Sequence, residues 1–522
     1  MEYTKKITMN PTQKNWLPPE KVLIIASFTE GGCLMATEIL SARMMAPYFG
    51  SSLFVWASVL AITLGALALG YYNGGTYSTK PKRNYTLFSF LFVAGLWLVL
   101  MPFIAQVSLN LVYRFELFQA VILGAASILV VPMYLMGSVS PMIIGILSEN
   151  GKEGGKTAGR IYAISTLGGI VFTFAFAFYL IPRFGVIFPS VFAGLLLLSI
   201  SLVFLFRDGK KKFLLAIPFV VLLTIFYSFQ RNKTQANMKI LYETEGMMGQ
   251  ILVADFEKDN ITTERVLFVN RIIQTSYSFG NANVHDYFNI TAQLIDNLPE
   301  KSNILILGLG GGVLANEAIK YGHTVDAVEI DARIVEVAKK YFQLSPKVNV
   351  FVDDARRFIK KSTGKYDLII FDLFRGEETP AHVFTIESMK ETADHLKESG
   401  LILINANGYY RGEIGKGTRA LYKTIRSSGL QLNMLATDSV EAKSSMIYLA
   451  AISYDSFDNY IPDEWSKMYV NTDSLDLKSV KVLSDNKPVL DFLNARATKA
   501  WRAGYLNYSK SLYGNSFQPL FR

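Results

Sequence analysis

The sequence predicts a polytopic α-helical membrane domain of about seven spans, followed by an α/β part. That second part combines a small β-domain with a doubly wound Rossmann-like sheet. Three observations predict this. First, the 522-residue chain is 51% hydrophobic and only 18% charged, whereas an ordinary soluble chain carries roughly 25% charged residues. Second, the net charge of +9 is uneven: residues 1–233 hold 19 Lys and Arg against 8 Asp and Glu, and the remainder nets −2. Third, apolar runs of span length give way, from about Lys239, to short strands that alternate with helical stretches. This composition excludes a disordered, a collagenous or a wholly cytosolic chain. It does not suggest a nucleic-acid binder, which needs basic residues clustered on a folded surface. Cys33 is the single cysteine, so neither an intramolecular disulfide nor a Cys-based zinc site is possible, and no metal is expected.

The membrane domain is placed at 1–233. Its candidate spans are residues 22–46, 53–78, 85–107, 118–147, 160–182, 185–206 and 213–229, most of them reaching the ~20 apolar residues that cross a bilayer. The first follows twenty polar residues and has no small-residue cleavage site, unlike a signal peptide. The segment 118–147 is long and holds Pro132 and Pro141, which predicts a kink or a break. Glu30, Glu38 and Arg43 lie within or near the end of the first span. Such charges usually face a bundle interior or a wet cavity. They fit a structural pairing with Arg43 or loop amides, or a substrate or proton site. Small residues at Gly65–Gly70 and Gly168-Gly169 suit close helix packing.

With the N-terminus inside, the inside segments hold fourteen Lys and Arg (among them Lys80, Lys82, Arg83, Arg160 and Arg207), and the outside loops hold Arg43, Arg114 and Arg183. That bias favours a cytoplasmic N-terminus. Seven crossings then put the soluble half outside the cytoplasm.

A small β-rich part is placed at 234–300, from strands at 240–242, 249–256 and 265–269. The remainder, 301–522, begins with a strand at 303–307, a glycine loop at 308–312 and a helix at 313–321. Strands at 324–330, 348–352, 366–371 and 400–405 follow, with helices to about Phe342 and around 387–397. Alternating strands and helices imply a doubly wound parallel sheet, which binds ligands beyond the carboxyl ends of its strands. Gly308, Gly310, Gly312, Glu329, Asp354 and Asp372 all stand at such ends and should share one crevice.

The glycine loop allows close backbone approach, and an acid about 20 residues later can take both ribose hydroxyls. Glu329 is placed for that. These features fit a dinucleotide or an adenosyl-sulfonium ligand, but Val313 occupies the third glycine of the dinucleotide fingerprint. Asp353-Asp354 suits an adenine amino group, and Asp372 a position beside a reactive carbon.

The run from Ala327 to Phe342, Asp353-Asp354-Ala355-Arg356-Arg357-Phe358 and Asn270-Arg271-Ile272-Ile273-Gln274 resembles the spermidine synthase (polyamine aminopropyltransferase) family. His285-Asp286 stands where that family has Tyr-His/Gln-Glu. The stretch from Asp372 to Thr385, with Glu38–Arg43 and Pro47–Ser52, resembles its membrane-fused branch, described as fused transporter/spermidine synthase proteins. The resemblance implies a class I methyltransferase-type sheet. It also implies a multi-pass protein of the cell (inner) membrane that transfers an aminopropyl group from decarboxylated S-adenosylmethionine to putrescine or a related amine. Gly308, Gly310 and Gly312 would frame the co-substrate, Glu329 its ribose and Asp354 its adenine. Gln274 and His285 would close the pocket, and Asp372 would be the catalytic aspartate. A lipid bilayer, a small-molecule amine and a homodimer are the implied partners, with no nucleic acid.

Two amine-side acids of the family are replaced, by Gly311 and Arg375; Glu377, Glu378 or Glu413 are the candidates to substitute. His382 fits either loop packing or the site, whereas His323 and His395 read as ordinary helix-end or surface residues. The rival readings are an S-adenosylmethionine-dependent methyltransferase and a polyamine transporter or sensor with an adenosyl-ligand-binding domain. The co-substrate is made in the cytoplasm, which opposes the charge count on the side of the soluble half; the charge count is the stronger argument, since it is a property of this sequence.

Overall fold

The computed structural model describes residues 18–513 except 51–52, 113–114, 116, 149–153, 208–237, 247, 259–260, 271, 280–285, 374–379 and 442–443. Among the described residues, 6 helical segments are long and apolar enough to cross a membrane. They are α1 (Glu20–Phe49), α2 (Leu53–Ser78), α3 (Arg83–Val112), a span broken into α4 (Leu117–Gly137) and α5 (Val139–Leu147), α6 (Gly154–Ala175), which continues through a π turn at Phe176–Leu180 into α7 (Ile181–Phe184), and α8 (Ile187–Arg207). They match six of the expected spans; the seventh, 213–229, lies outside the described residues. The break falls at Ser138, between Pro132 and Pro141, because each proline removes a helical donor and crowds the preceding turn.

Small residues bring the spans together, as lipid-embedded helices require. A methyl group on Gly168 of α6 would run into the Phe28 carbonyl of α1, and one on Gly194 of α8 would lie 2.6 Å from the Gly95 carbonyl of α3. A methyl group on Gly70 would likewise lie 2.5 Å from the Tyr134 carbonyl of α4, whereas one on Gly65 would meet nothing within 4 Å, so Gly65 takes no part in the close packing expected of it.

The bundle has two ends. At one, Arg160 of α6 pairs with Glu20 of α1 at 2.5 Å, and Arg83 of α3 donates to the carbonyls of Ser78 and Gly145 at 3.4 Å each. The opposite end carries the start of α2 and the α3–α4 connection. The C-terminal helix Leu490–Tyr513 lies against that second end. Phe492 stacks on Phe54 at 6.1 Å, and Lys499 Nζ donates to the Phe115 carbonyl at 2.9 Å.

Among the described residues, the C-terminal half holds two sheets. β1 (Met238–Thr244), β2 (Ile251–Lys258), β3 (Ile261–Val269) and β4 (Ile272–Ser278) form an antiparallel meander. Asn270, at φ 49°, makes the tight turn between β3 and β4. The second sheet contains β5 (Asn303–Leu307), β6 (Thr324–Glu329), β7 (Asn349–Val352), β8 (Tyr366–Phe371), β9 (Leu396–Asn407), β10 (Gln431–Ala436) and β11 (Ser445–Ala451), in the order β10-β11-β9-β8-β5-β6-β7. β5 to β9 pair in parallel, and β11 runs antiparallel between β9 and β10. Strand order reverses between β5 and β8, so the crevice opens at their carboxyl ends. Apolar side chains fill both faces, with Leu305, Leu307, Ile369 and Phe371 on one and Ile304, Ile306, Leu368 and Ile370 on the other. β9 starts at Leu396, four residues before the expected Gly400. Its polar beginning is held by Lys397, whose Nζ meets Asp367 at 2.6 Å, and a register shift follows between Tyr366 and Leu368.

Candidate active site

The glycine loop follows β5 directly. Gly308, Gly310 and Gly312 have φ of 94°, 52° and 76°, conformations that favour glycine. A methyl group on Gly308 would run into the Asp372 carbonyl, and one on Gly310 would sit 2.9 Å from Thr275 Oγ1. The loop is therefore a backbone cradle that a Cβ would fill, between the end of β8 and the small sheet. Thr275, next to Gln274 on β4, closes it: Gly311 N–H donates to Thr275 Oγ1 at 2.8 Å. A side chain at Gly311 would meet Thr275 Cγ2 at 2.7 Å and Phe342 at 3.1 Å. That crowding is a physical reason for glycine where the resemblance expects an aspartate. Gln274 borders the same loop, with its Nε2 donating to the neighbouring Ile273 carbonyl at 3.3 Å.

Glu329 ends β6 and is buried. Its Oε2 accepts from Leu309 N–H at 3.1 Å and its Oε1 from Asp331 N–H at 2.9 Å. The carboxylate thereby shapes the loop from the end of β6. Asp354 caps the helix Ala355–Lys361: its Oδ1 accepts from Arg357 N–H at 3.0 Å, and its Oδ2 meets His382 Nε2 at 2.9 Å. Burial disfavours its ionisation and raises its pKa, but the Arg357 amide and His382 outweigh that and leave it below the ordinary carboxylate value. His382 is thereby brought to the site. Its backbone is fixed by Arg356, which donates to the His382 carbonyl at 3.0 Å and pairs with Glu391 and Asp485.

Asp372 follows β8, across the switch point from the glycine loop. Its amide donates to the Leu307 carbonyl at 2.8 Å, and Asn405 Nδ2 of β9 donates to its Oδ1 at 3.2 Å. Burial pushes its pKa up to about 6, against the lowering effect of Asn405. A carboxylate tuned towards neutrality is suited to accepting a proton. Tyr287, in the helix Asp286–Asp296, is electrostatically coupled to it. Burial, and then the Asp372 charge, push the phenol well above its usual value against the lowering effect of the Thr291 side chain, and among the described residues its hydroxyl has no partner of good hydrogen-bond geometry.

The structure thus brings together Gly308, Gly310, Gly312, Glu329, Asp354, Asp372 and Gln274. His285, Arg375, Glu377 and Glu378 lie outside the described residues. Glu413 is exposed and paired with Lys416 at 2.8 Å. His323 Nε2 donates to the Ile295 carbonyl at 3.0 Å and His395 Nδ1 to the Gly364 carbonyl at 2.9 Å, so both have packing roles. Among the described residues, no group of three His, Cys, Asp or Glu side chains is placed to hold a metal. Thr275, Tyr287 and Asn405 were not singled out from sequence. Only the position of Asn405 at a strand end offered a signal.

Residues 290–412 match the family described as the spermine/spermidine synthase domain. This stretch, called the synthase domain below, is similar to that family's domain. The Oceanobacillus iheyensis polyamine aminopropyltransferase is 26% identical to the chain over 301 residues, 52% of this chain and 56% of that protein. The chain therefore spans little more than half the length of this relative. Polyamine aminopropyltransferase 2 of Aquifex aeolicus is 24% identical over 431 residues, 78% of this chain and 83% of that protein. The spermidine synthase of Thermotoga maritima superposes with a TM-score of 0.36 at 20% identity, covering 49% of this chain and 84% of its own. In the synthase domain, β5 to β9 carry the glycine loop, Glu329, Asp354 and Asp372 at one edge.

Proposed function

We propose that the chain is a membrane-bound polyamine aminopropyltransferase of spermidine synthase type, divided into a membrane domain (1–233), a small β-domain (234–300) and an adenosyl-binding catalytic domain (301–522). The observation that carries this reading is Asp372. It is a carboxyl with a pKa near 6, anchored by Asn405 and abutting a glycine cradle. Decarboxylated S-adenosylmethionine, when bound, supplies an aminopropyl carbon activated by its sulfonium sulfur. Gly308, Gly310 and Gly312 would hold it, Glu329 would take ribose hydroxyls, and Asp354 the adenine amino group. The amine nitrogen attacks the aminopropyl carbon, forming the C–N bond as the C–S bond breaks and its electron pair passes to sulfur. Asp372 takes the proton the amine loses. Holding the unprotonated amine in line is most of the catalytic task. A homodimer belongs to the same reading.

The test is incubation of the purified protein with decarboxylated S-adenosylmethionine or S-adenosylmethionine and a panel of amines, with products identified by mass spectrometry. Aminopropylated amine from the first is expected; methylated product from the second alone would establish the methyltransferase instead.

The orphaned hydroxyl of Tyr287 is assigned to the bound amine. Tyr287→Phe should leave the melting temperature unchanged or higher, because an unsatisfied buried hydroxyl costs about 1–3 kcal/mol. The amine KM should rise about tenfold with little change in kcat, as steady-state kinetics with varied amine would reveal. An unchanged KM would remove Tyr287 from the site.

We further propose that the catalytic half lies outside the cytoplasm. The C-terminal helix meets Phe54 and Phe115, at the end of the bundle opposite Glu20, Arg83 and Arg160. The charge bias assigns that basic end to the cytoplasm. Native Cys33 is buried, so cysteines introduced at Lys301 and Lys80 report alone. A membrane-impermeant thiol reagent on whole cells should label position 301 and spare 80; the reverse pattern would put the catalytic half inside.

A further inference from the structure

The membrane half holds a buried carboxyl that aminopropyl transfer does not use. Glu30 lies ten residues into α1, about 15 Å along it at 1.5 Å per residue, and so near the middle of a hydrocarbon core roughly 30 Å thick. It is 2% exposed. Its Oε2 accepts from Ser140 Oγ and from Ser165 Oγ, each at 3.3 Å. Its partners are therefore these hydroxyls, and not the Arg43 or loop amides that sequence suggested. Ser140 is the second residue of α5, just past the break at Ser138. Ser165 stands where α6 approaches α1 so closely that a methyl group on Gly31 would run into the Ser165 carbonyl. Three spans thus converge on one carboxylate oxygen.

Among the described residues, no basic side chain pairs with that carboxyl. α2, α4 and α5 contain no charged residue. Arg160 of α6 is spent on Glu20, Arg83 of α3 on the Ser78 and Gly145 carbonyls, and Arg207 is the last residue of α8. The titratable groups coupled to Glu30 are Cys33 on α1 and Tyr71 on α2. Tyr71 also faces Tyr162 of α6. A permanent intramembrane anion needs a cation beside it. A hydroxyl donates to a carboxylate and accepts from a carboxylic acid, so two serines satisfy either form. Intramembrane carboxyls facing a bundle interior mark ion pathways, and broken spans are where such sites are built.

We propose that Glu30, Ser140 and Ser165 form an exchangeable proton site in the membrane domain. It is independent of the chemistry assigned to the synthase domain. Infrared difference spectra of the full-length protein in lipid nanodiscs, taken from about pH 5 to about pH 10, test it. A protonated-carboxyl band should disappear as pH rises and be missing from Glu30→Gln. A Glu30 band that persists at every pH, or is absent at every pH, would overturn the proposal. Should Glu30→Gln not fold, dicyclohexylcarbodiimide, which attacks protonated carboxyls, reads the wild type directly. The yield of modified Glu30 peptide should fall at least about tenfold over the same range, and a constant yield would overturn exchange. Replacing potassium by sodium should leave the midpoint unmoved; a shift would make sodium, and not the proton, the occupant.

Discussion

Asp372→Asn should lower the turnover of the protein by about 10²- to 10⁴-fold under saturating co-substrate, the usual cost of losing a general base. Asparagine preserves the shape beside Asn405 but cannot accept the amine proton. The wild type should also gain rate as pH rises through about 6, where Asp372 becomes a carboxylate, and the variant should lose that limb of the profile. Stability gives a second readout. The folded value, about 6, lies above the ordinary 3.8, so the folded state binds more protons between the two and stability falls as pH rises through that window. Asn at 372 escapes this cost and should melt higher than the wild type above pH 6. Turnover within about threefold of the parent would move the base elsewhere.

Glu329→Ala should weaken 5′-methylthioadenosine binding by about 2–4 kcal/mol, since a hydrogen bond to a charged group contributes about 1.5–3 kcal/mol and the change also frees part of the loop. That is roughly 30- to 1,000-fold in affinity, read by isothermal titration. The loop component arises because Leu309 N–H and Asp331 N–H both lose their acceptor. Glu329→Gln retains an acceptor oxygen for one of these amides and should recover part of the loss. Unchanged affinity in the alanine variant would remove the pocket assignment.

Both residues were legible in the sequence because strand ends in an alternating α/β pattern converge by topology alone. Glu329 and Asp372 needed only the strand boundaries, which periodicity supplies. The partners that tune them did not announce themselves. Asn405 lies near the end of β9, whose start differs from the expected Gly400 because its first residues are polar and held by Lys397. Tyr287 reads as one more aromatic on an amphipathic helix, and Thr275 as one more β-branched strand residue. Their roles follow from packing across the small sheet and the glycine loop, which one-dimensional patterns do not carry. The β10–β11 hairpin escaped for a similar reason: β11 inserts antiparallel beside β9, out of sequence order. In the N-terminal half, six of the expected spans coincide with long apolar helices, because length and hydropathy decide their positions. The partners of Glu30 were not legible in that way, since they come from α5 and α6, more than a hundred residues away.

The central claim is that this crevice moves an aminopropyl group. Purified full-length protein, decarboxylated S-adenosylmethionine and putrescine should yield 5′-methylthioadenosine and aminopropylated amine in one-to-one ratio, in the wild type and not in Asp372→Asn. Intact decarboxylated S-adenosylmethionine after prolonged incubation with every amine tested, from protein that binds 5′-methylthioadenosine, would contradict it.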